Sequence, residues 1–429
     1  MSGSEGWRGN AARWVVAYTA AVVGDVSYFL VLTWAAAEAG GPRTSGLVLA
    51  LGAVPRALLM LLGGVLADRV EPRRIAIATD GARTLLLLLA TGAASWFGLV
   101  PWWLAVLAVA FGVVDACFIP AVGAMPVRLV PPEALPRLQA WRLTGLRAGN
   151  AVGPALGAGL VVLGVPAALA SVSVLFALSV VLLLTVRSSD DAVRLAAGGS
   201  PEAPLRLSQL RRHGLLPLVV GTALSELPFS GPVAIGVVLL AQERGWSVAA
   251  AGTVLAAFSV GGIVVSVLLA ALPVASPGRA TTLVAAGATA PLLVVLGTTP
   301  DAARAIVAGA LLGVTTGTVM VSCHGRIQQS TPPGLLGRVT ALLSLATLGL
   351  SPLTYGAVGI VAGVWGVGAF FALAAGVMVL AGVVLAGAPL ARPGGDRTSV
   401  LRSEGTHTSH EGDVRVEPTR GRPRRTGGS

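Results

Sequence analysis

The chain has 429 residues, 54% hydrophobic and only 11% charged, with a mean hydropathy of +0.81. A soluble chain is charged at about a quarter of its positions, so this composition excludes a soluble enzyme, a disordered scaffold and a nucleic-acid-binding module, and leaves an integral membrane protein. The net charge of +11 comes from 30 basic residues, all Arg, eight of them in the last 38 positions; basicity of a tail and of loops is weak evidence for a polyanionic partner, and no nucleic acid is expected.

A hydrocarbon core about 30 Å thick needs about 20 apolar residues per helix. Twelve such stretches occur, at residues 13–37, 44–67, 74–96, 102–125, 136–163, 166–187, 213–241, 246–272, 279–298, 302–324, 335–361 and 364–387. The first follows Arg8 and Arg13 and imitates a secretory leader, but its length, Asp25 at its centre and the spans after it mark a transmembrane helix. Residues 1–12 read as a cytoplasmic N-terminus, and 13–187 and 213–388 as two six-helix halves. Between them 188–212, with Gly198, Gly199, Pro201 and Pro204, reads as a cytoplasmic linker. Residues 389–429, polar and almost free of large apolar side chains, read as a disordered cytoplasmic tail. Cys117 and Cys323 have no CxxC or Cys/His cluster near them, so neither a disulfide framework nor a zinc site is expected, and no cofactor or metal.

Loop charge fixes the orientation. Arg69, Arg73, Arg74, Arg128, Arg137, Arg187, Arg279, Arg326 and Arg338 fall with the linker arginines on one set of loops, against Arg43, Arg244 and Arg304 on the other. The first set is cytoplasmic by the positive-inside rule, which puts both termini in the cytoplasm of a multi-pass protein of the plasma membrane. Pro131, Pro132, Leu135, Arg137 and Ala140 recur as Pro332, Pro333, Leu336, Arg338 and Ala341 at a constant offset of 201. Six helices separate the copies, so the repeat is parallel.

Two motifs carry the functional signal. Between the second and third stretches stands Gly64-Val-Leu-Ala-Asp68-Arg69-Val-Glu-Pro-Arg73-Arg74. In the fifth, Gly149, Gly153, Pro154 and Gly157 fall on one helical face, with Ala158 where a further glycine would complete the pattern. The proline frees a backbone carbonyl and bends the helix, while the glycines admit a neighbour closely. The first motif resembles the signature loop of the major facilitator superfamily, and the second its antiporter motif. Gly24-Asp25, Phe118-Ile-Pro120-Ala121 and Gly337-Arg338-Val339 look like the drug, macrolide and siderophore exporter branch found in actinobacteria. The resemblance spans residues 13–388. It implies an all-α fold of two six-helix bundles related by a pseudo-twofold axis. It also implies a cytoplasmic gate in which Asp68, with Gly64, Arg69, Arg73 and Arg74, meets the helix opening at Gly337 and Arg338. Glu71-Pro72 departs from the usual glycine and basic residue and stiffens this turn.

Ionisable groups at mid-bilayer are expensive and mark transport pathways or structural pairs. Asp25, Arg56, Asp115, Arg147 and Glu226 each lie about 10 to 12 residues from the cytoplasmic end of their stretch, which at about 1.5 Å per residue places them near one plane. These are the candidate coupling and substrate-cavity residues. Asp115 and Arg147, on consecutive antiparallel helices, are expected to pair; Asp80 and Arg83 are expected to form a support pair within one helix. Tyr28, Phe29, Trp34, Phe111 and Phe229 are available to line a cavity.

The reading is a monomeric secondary transporter, not an enzyme. It exports a small amphipathic molecule, a drug or secondary metabolite, by alternating access in exchange for protons. The alternatives are an importer or uniporter on the same fold, and a non-transporting membrane receptor or assembly factor, which would tolerate loss of the mid-bilayer acids. Asp80-Gly81-Ala82-Arg83 is superficially similar to a membrane phosphotransferase motif but lacks its spacing and its downstream acids.

Overall fold

The computed structural model describes residues 3–69, 71–187, 210–211, 214–271 and 278–388, the side chains of 60–69 among those outside the description. The segment read as a linker, all but Leu210 and Arg211, and the segment read as a tail lie outside the described residues.

Helix lies within each of the twelve predicted stretches. The elements are α1 (Gly3–Arg69), α2 (Pro72–Phe97), α3 (Pro101–Ala124), α4 (Pro126–Leu129), α5 (Leu135–Val161), α6 (Val165–Thr185) and α7 (Leu216–Glu226). They continue with α8 (Pro232–Glu243), α9 (Val248–Ala271), α10 (Arg279–Thr298), α11 (Ala302–Ser330), α12 (Pro333–Leu348), α13 (Ser351–Trp365) and α14 (Val367–Ala386). Among the described residues, nine helical runs are long and apolar enough to cross a bilayer.

Three features depart from the predicted spans. The first two stretches join into α1, interrupted only where Gly40 and Gly41 leave helical geometry; Gly41 has φ 76°, open to glycine without strain, and Pro42 starts the second arm. The seventh stretch is two helices, α7 and α8. Pro228 and Pro232 withhold backbone donors there, and Gly231 takes φ 143°. The eleventh is likewise divided between α12 and α13, at Gly349 and Leu350 with Pro352 opening the second piece.

The apolar side chains point outward as well as inward, as a lipid-facing surface requires. Trp96, Phe97, Trp102 and Trp365 are all more than half exposed, at the helix ends opposite the Arg-rich loops, where a belt of interfacial aromatics belongs.

Packing repeats itself between α1–α6 and α7–α14. Gly52 of α1 meets Gly112 of α3 closely enough that a side chain on either would collide with the partner's backbone, or in the case of Gly52 with Ala108; Gly261 of α9 and Gly313 of α11 are crowded in the same way by each other's helix. Arg73, at the start of α2, donates to the Leu183 and Leu184 carbonyls that end α6, at 3.1 and 2.9 Å. Arg279, at the start of α10, likewise donates to the Ala386 carbonyl that ends α14. Each guanidinium satisfies carbonyls that a helix terminus leaves open.

The two sets of helices meet along two seams, α1 on α13 and α5 on α9. At the Arg-poor end these seams are built from small residues: Gly46 against Gly359, and Gly252 against Ala158. Gln242 adds a hydrogen bond to the Trp34 carbonyl at 3.2 Å.

Candidate functional site

Between the seams lies a cavity of about 600 Å³, walled by α1, α3 and α5 on one side and by α8, α9, α11, α13 and the break after α7 on the other. Its walls differ in kind. Asp25, Arg56, Asp115, Arg142 and Arg147 all come from the first set of helices. The opposite wall carries no charged side chain among its lining residues: Phe229, Phe258, Ala234, Val238, Leu255 and Ile263 are apolar, with Ser230, Ser259, Thr316, Ser351 and Tyr355 as its polar points. Phe229 and Phe258 stack with centroids 5.7 Å apart and planes within 7°, giving a flat aromatic surface.

The charged wall is organised around Arg83. Its guanidinium has no exposed surface, lies 3.0 Å from Asp80 and 3.7 Å from Asp25, and also pairs with Asp115. It sits over the ring of Phe118 at 4.0 Å, with Phe176 and Phe111 at 5.3 and 5.4 Å. These rings exclude water while their faces favour the cation. Asp80, also fully buried, accepts the Ser179 hydroxyl at 2.6 Å. Asp115 has a second cation in Arg56, at 2.9 Å. Three carboxylates therefore face two guanidiniums. The carboxylate least held is Asp25: its side chain is 29% exposed and its Oδ1 lacks a hydrogen bond.

Asp25, Arg56 and Asp115 thus come together as expected from their common depth, but two expectations fail. Asp115 pairs with Arg83 and Arg56, not with Arg147, which lines the cavity and forms no ion pair among the described residues. Two cations already occupy the two oxygens of Asp115. Glu226 does not line the cavity. It ends α7 and pairs with His324 of α11 at 3.2 Å. Of the aromatic candidates Tyr28, Phe29, Phe111 and Phe229 line the cavity, whereas Trp34 lies at the Arg-poor end of the seams.

Gly149, Gly153 and Gly157 lie against Val22, Val26 and Ser27 of α1, each too close to admit a side chain. The Ser27 hydroxyl donates to the Gly153 carbonyl at 2.9 Å. Pro154 supplies no N–H to the carbonyl four residues back, and that carbonyl, Asn150, instead accepts the Ser259 hydroxyl of α9 at 2.9 Å. The proline thereby creates a hydrogen bond across one seam.

Of the residues expected at a gate, the side chains of Asp68 and Arg69 and the surroundings of Gly64 and Gly337 lie outside the described residues. Arg73 is engaged by the end of α6, and Arg74 pairs with Glu71 at 2.9 Å within its own turn. Arg338 is half-buried on α12.

The sequence profile of the Major Facilitator Superfamily matches residues 14–348. No curated protein sequence matches the chain. Among solved structures, the chain is similar to a bacterial homolog of the human lysosomal transporter Spinster in an inward-facing, occupied conformation, with TM-score 0.66 and 15% identity over 90% of this chain and 96% of that one. It is similar to the nucleoside transporter NupG, with TM-score 0.66 and 12% identity over 88% and 98% of the two chains. It is also similar to a bacterial homologue of the iron transporter ferroportin, with TM-score 0.64 and 16% identity over 88% and 98%.

Proposed function

Because this chain belongs to the Major Facilitator Superfamily, it is a multi-pass membrane transporter and not an enzyme, and we propose that it exports a small amphipathic molecule from the cytoplasm in exchange for protons, as a member of the drug, macrolide and siderophore exporter branch. One observation carries the reading: the cavity has a charged wall and an apolar, aromatic wall facing each other. A molecule with one polar and one apolar face gains from both only when it lies between them, so its binding energy depends on how the two sets of helices are disposed. That dependence is what alternating access requires.

Protons enter through the acids around Arg83. Three carboxylates share two guanidiniums there, and Asp25, the least held of them, faces the cavity and is where the proton is exchanged. Desolvation favours the protonated form of a carboxyl group and a nearby guanidinium the charged one, so a motion that changes either changes proton affinity. The antiporter motif supports exchange over simple leak, since its glycines leave no water path between α5 and α1. The protein works as a monomer in the plasma membrane with both termini and the 188–212 linker in the cytoplasm; 13–187 and 213–388 are its rocking halves, 1–12 a cytoplasmic N-terminus and 389–429 a cytoplasmic tail. Asp68 holds the cytoplasmic gate.

Reconstituted Asp25→Asn is expected to fold, to retain counterflow exchange of substrate and to lose accumulation driven by a pH gradient. Uphill transport with unchanged pH dependence in this variant refutes proton exchange at Asp25.

A further inference from the structure

Glu226 and His324 form an ionisable pair outside both the cavity wall and the Arg83 cluster. Glu226 is the last residue of α7, and His324 of α11 places Nε2 3.2 Å from its Oε1. The other ring nitrogen, Nδ1, is 3.0 Å from the Met320 carbonyl. A carbonyl only accepts, so Nδ1 carries its hydrogen. Nε2 and Oε1 are then two acceptors in contact unless a proton lies between them, either as imidazolium facing carboxylate or as neutral imidazole accepting from carboxylic acid. Both arrangements are neutral overall. Without that proton, the lone pair of a half-exposed ring faces a carboxylate whose side chain is only 13% exposed, and the contact becomes repulsive.

The pair joins two elements that reach the cavity within a turn. The Glu226 carbonyl accepts from the Phe229 and Ser230 N–H groups, both at 3.0 Å, at the break that leads into α8. Phe229 lines the cavity from that break, and Met320, to whose carbonyl His324 is anchored, lines it from α11. We propose that Glu226 and His324 share one transferable proton that clamps α7 to α11, and that its release to water frees the broken segment bearing Phe229. The inference deepens the proton-exchange reading above and rests on it for its role in transport.

The elements packed on α7 are α11, α12 and α14. The first carries Cys323 next to His324 and Arg326 two residues beyond it, the second carries Arg338, and the third has no ionisable residue. Tyr355 of α13 approaches the break itself and donates to the Ser230 carbonyl at 3.2 Å.

Cys323 reports the clamp directly, being fully buried beside His324 with its thiol against Thr222 of α7. In Cys117→Ser protein reconstituted in lipid nanodiscs, its alkylation by N-ethylmaleimide is followed between about pH 5.5 and 8.5, with and without Glu226→Gln. The glutamine amide donates to Nε2 without titrating, so the clamp stays shut in that variant. The thiol's own pH dependence is common to both proteins and divides out of the ratio of rates, leaving the Glu226 charge and opening of the clamp. Like charges repel, so the charge that deprotonated Glu226 brings near an anionic nucleophile can only slow alkylation, and a rise in the ratio reports opening. The ratio is expected to start near one and then climb about tenfold per pH unit, the slope of a single proton. A ratio that stays flat or falls overturns the clamp. His324→Gln, whose amide donates to the carboxylate, is expected to behave like Glu226→Gln and serves as reference if that variant does not fold. A rising ratio without proton-driven transport keeps the clamp and refutes antiport; proton-driven accumulation with a flat ratio does the reverse.

Discussion

Replacing Arg83 with Met removes the cation on which three acids converge while keeping much of its volume and its contact with Phe118. Unit charges 3.0 Å apart attract by about 5 kcal/mol at an effective dielectric constant of about 20. Breaking a buried pair by removing one partner costs about 3–5 kcal/mol, because the other is left desolvated and uncompensated. Here the stranded group is Asp80, fully buried with only Ser179 to replace the guanidinium; Asp115 keeps Arg56 and Asp25 faces the cavity. We expect Arg83→Met to lower the apparent Tm in detergent by on the order of 5–10 °C. Adding Asp80→Asn should restore more than half of that loss, and adding Asp115→Asn much less. Thermal unfolding followed by Trp fluorescence across this double-mutant cycle measures the coupling. An Arg83→Met protein within about 1 °C of the parent, or equal rescue by the two Asn substitutions, refutes the assignment of Arg83 as the buried hub. Arg83→Lys should fall between, since a point charge cannot serve three carboxylates with one planar fork.

Gly359→Val should wedge the seam at the Arg-poor end, because a Cβ there lies 2.7 Å from the Gly46 Cα and 2.9 Å from the Pro42 carbonyl. Cysteines placed at that end should label faster and transport should fall, while labelling unchanged from the parent contradicts the seam. Asp68→Asn, if Asp68 is a gate residue, should cut transport about 10- to 100-fold, a gate interaction of 1–3 kcal/mol, and leave equilibrium substrate affinity within about twofold; a large loss of affinity with intact turnover points instead to substrate binding.

Much of this arrangement is legible in the sequence, and the remainder fails for physical reasons. Helix positions follow from apolar stretches about 20 residues long, since lipid leaves the backbone no other partner. The closeness of Asp25, Arg56 and Asp115 follows from depth alone, because depth along a helix is a matter of counting. Azimuth is not countable in a helix apolar all round, so which acid meets which arginine stays hidden. Asp80 and Arg83 read as a local pair because their spacing is local; nothing in the sequence announces that Phe111, Phe118 and Phe176, from α3 and α6, close around that guanidinium. Arg73 sits in a motif associated with gating, yet its partner is the end of α6, and the matching bond of Arg279 to Ala386 shows a role in tying each bundle to itself. His324 has no signature neighbour, and its partner lies nearly a hundred residues away.

The two seams at the Arg-poor end meet through glycine and alanine, backbone against backbone. Such contacts contribute through dispersion and weak Cα–H···O bonds of about 0.5–1 kcal/mol each. Long side chains contribute little there beyond Gln242, which reaches the Trp34 carbonyl, and Arg43, which packs on Gly363. Their strength is thus of the same few kcal/mol that separate two conformations a ligand or proton can reverse. A latch of salt bridges at the same place would hold more firmly and let go more slowly, so small residues there keep closure at that end weak enough to be reversed within a transport cycle.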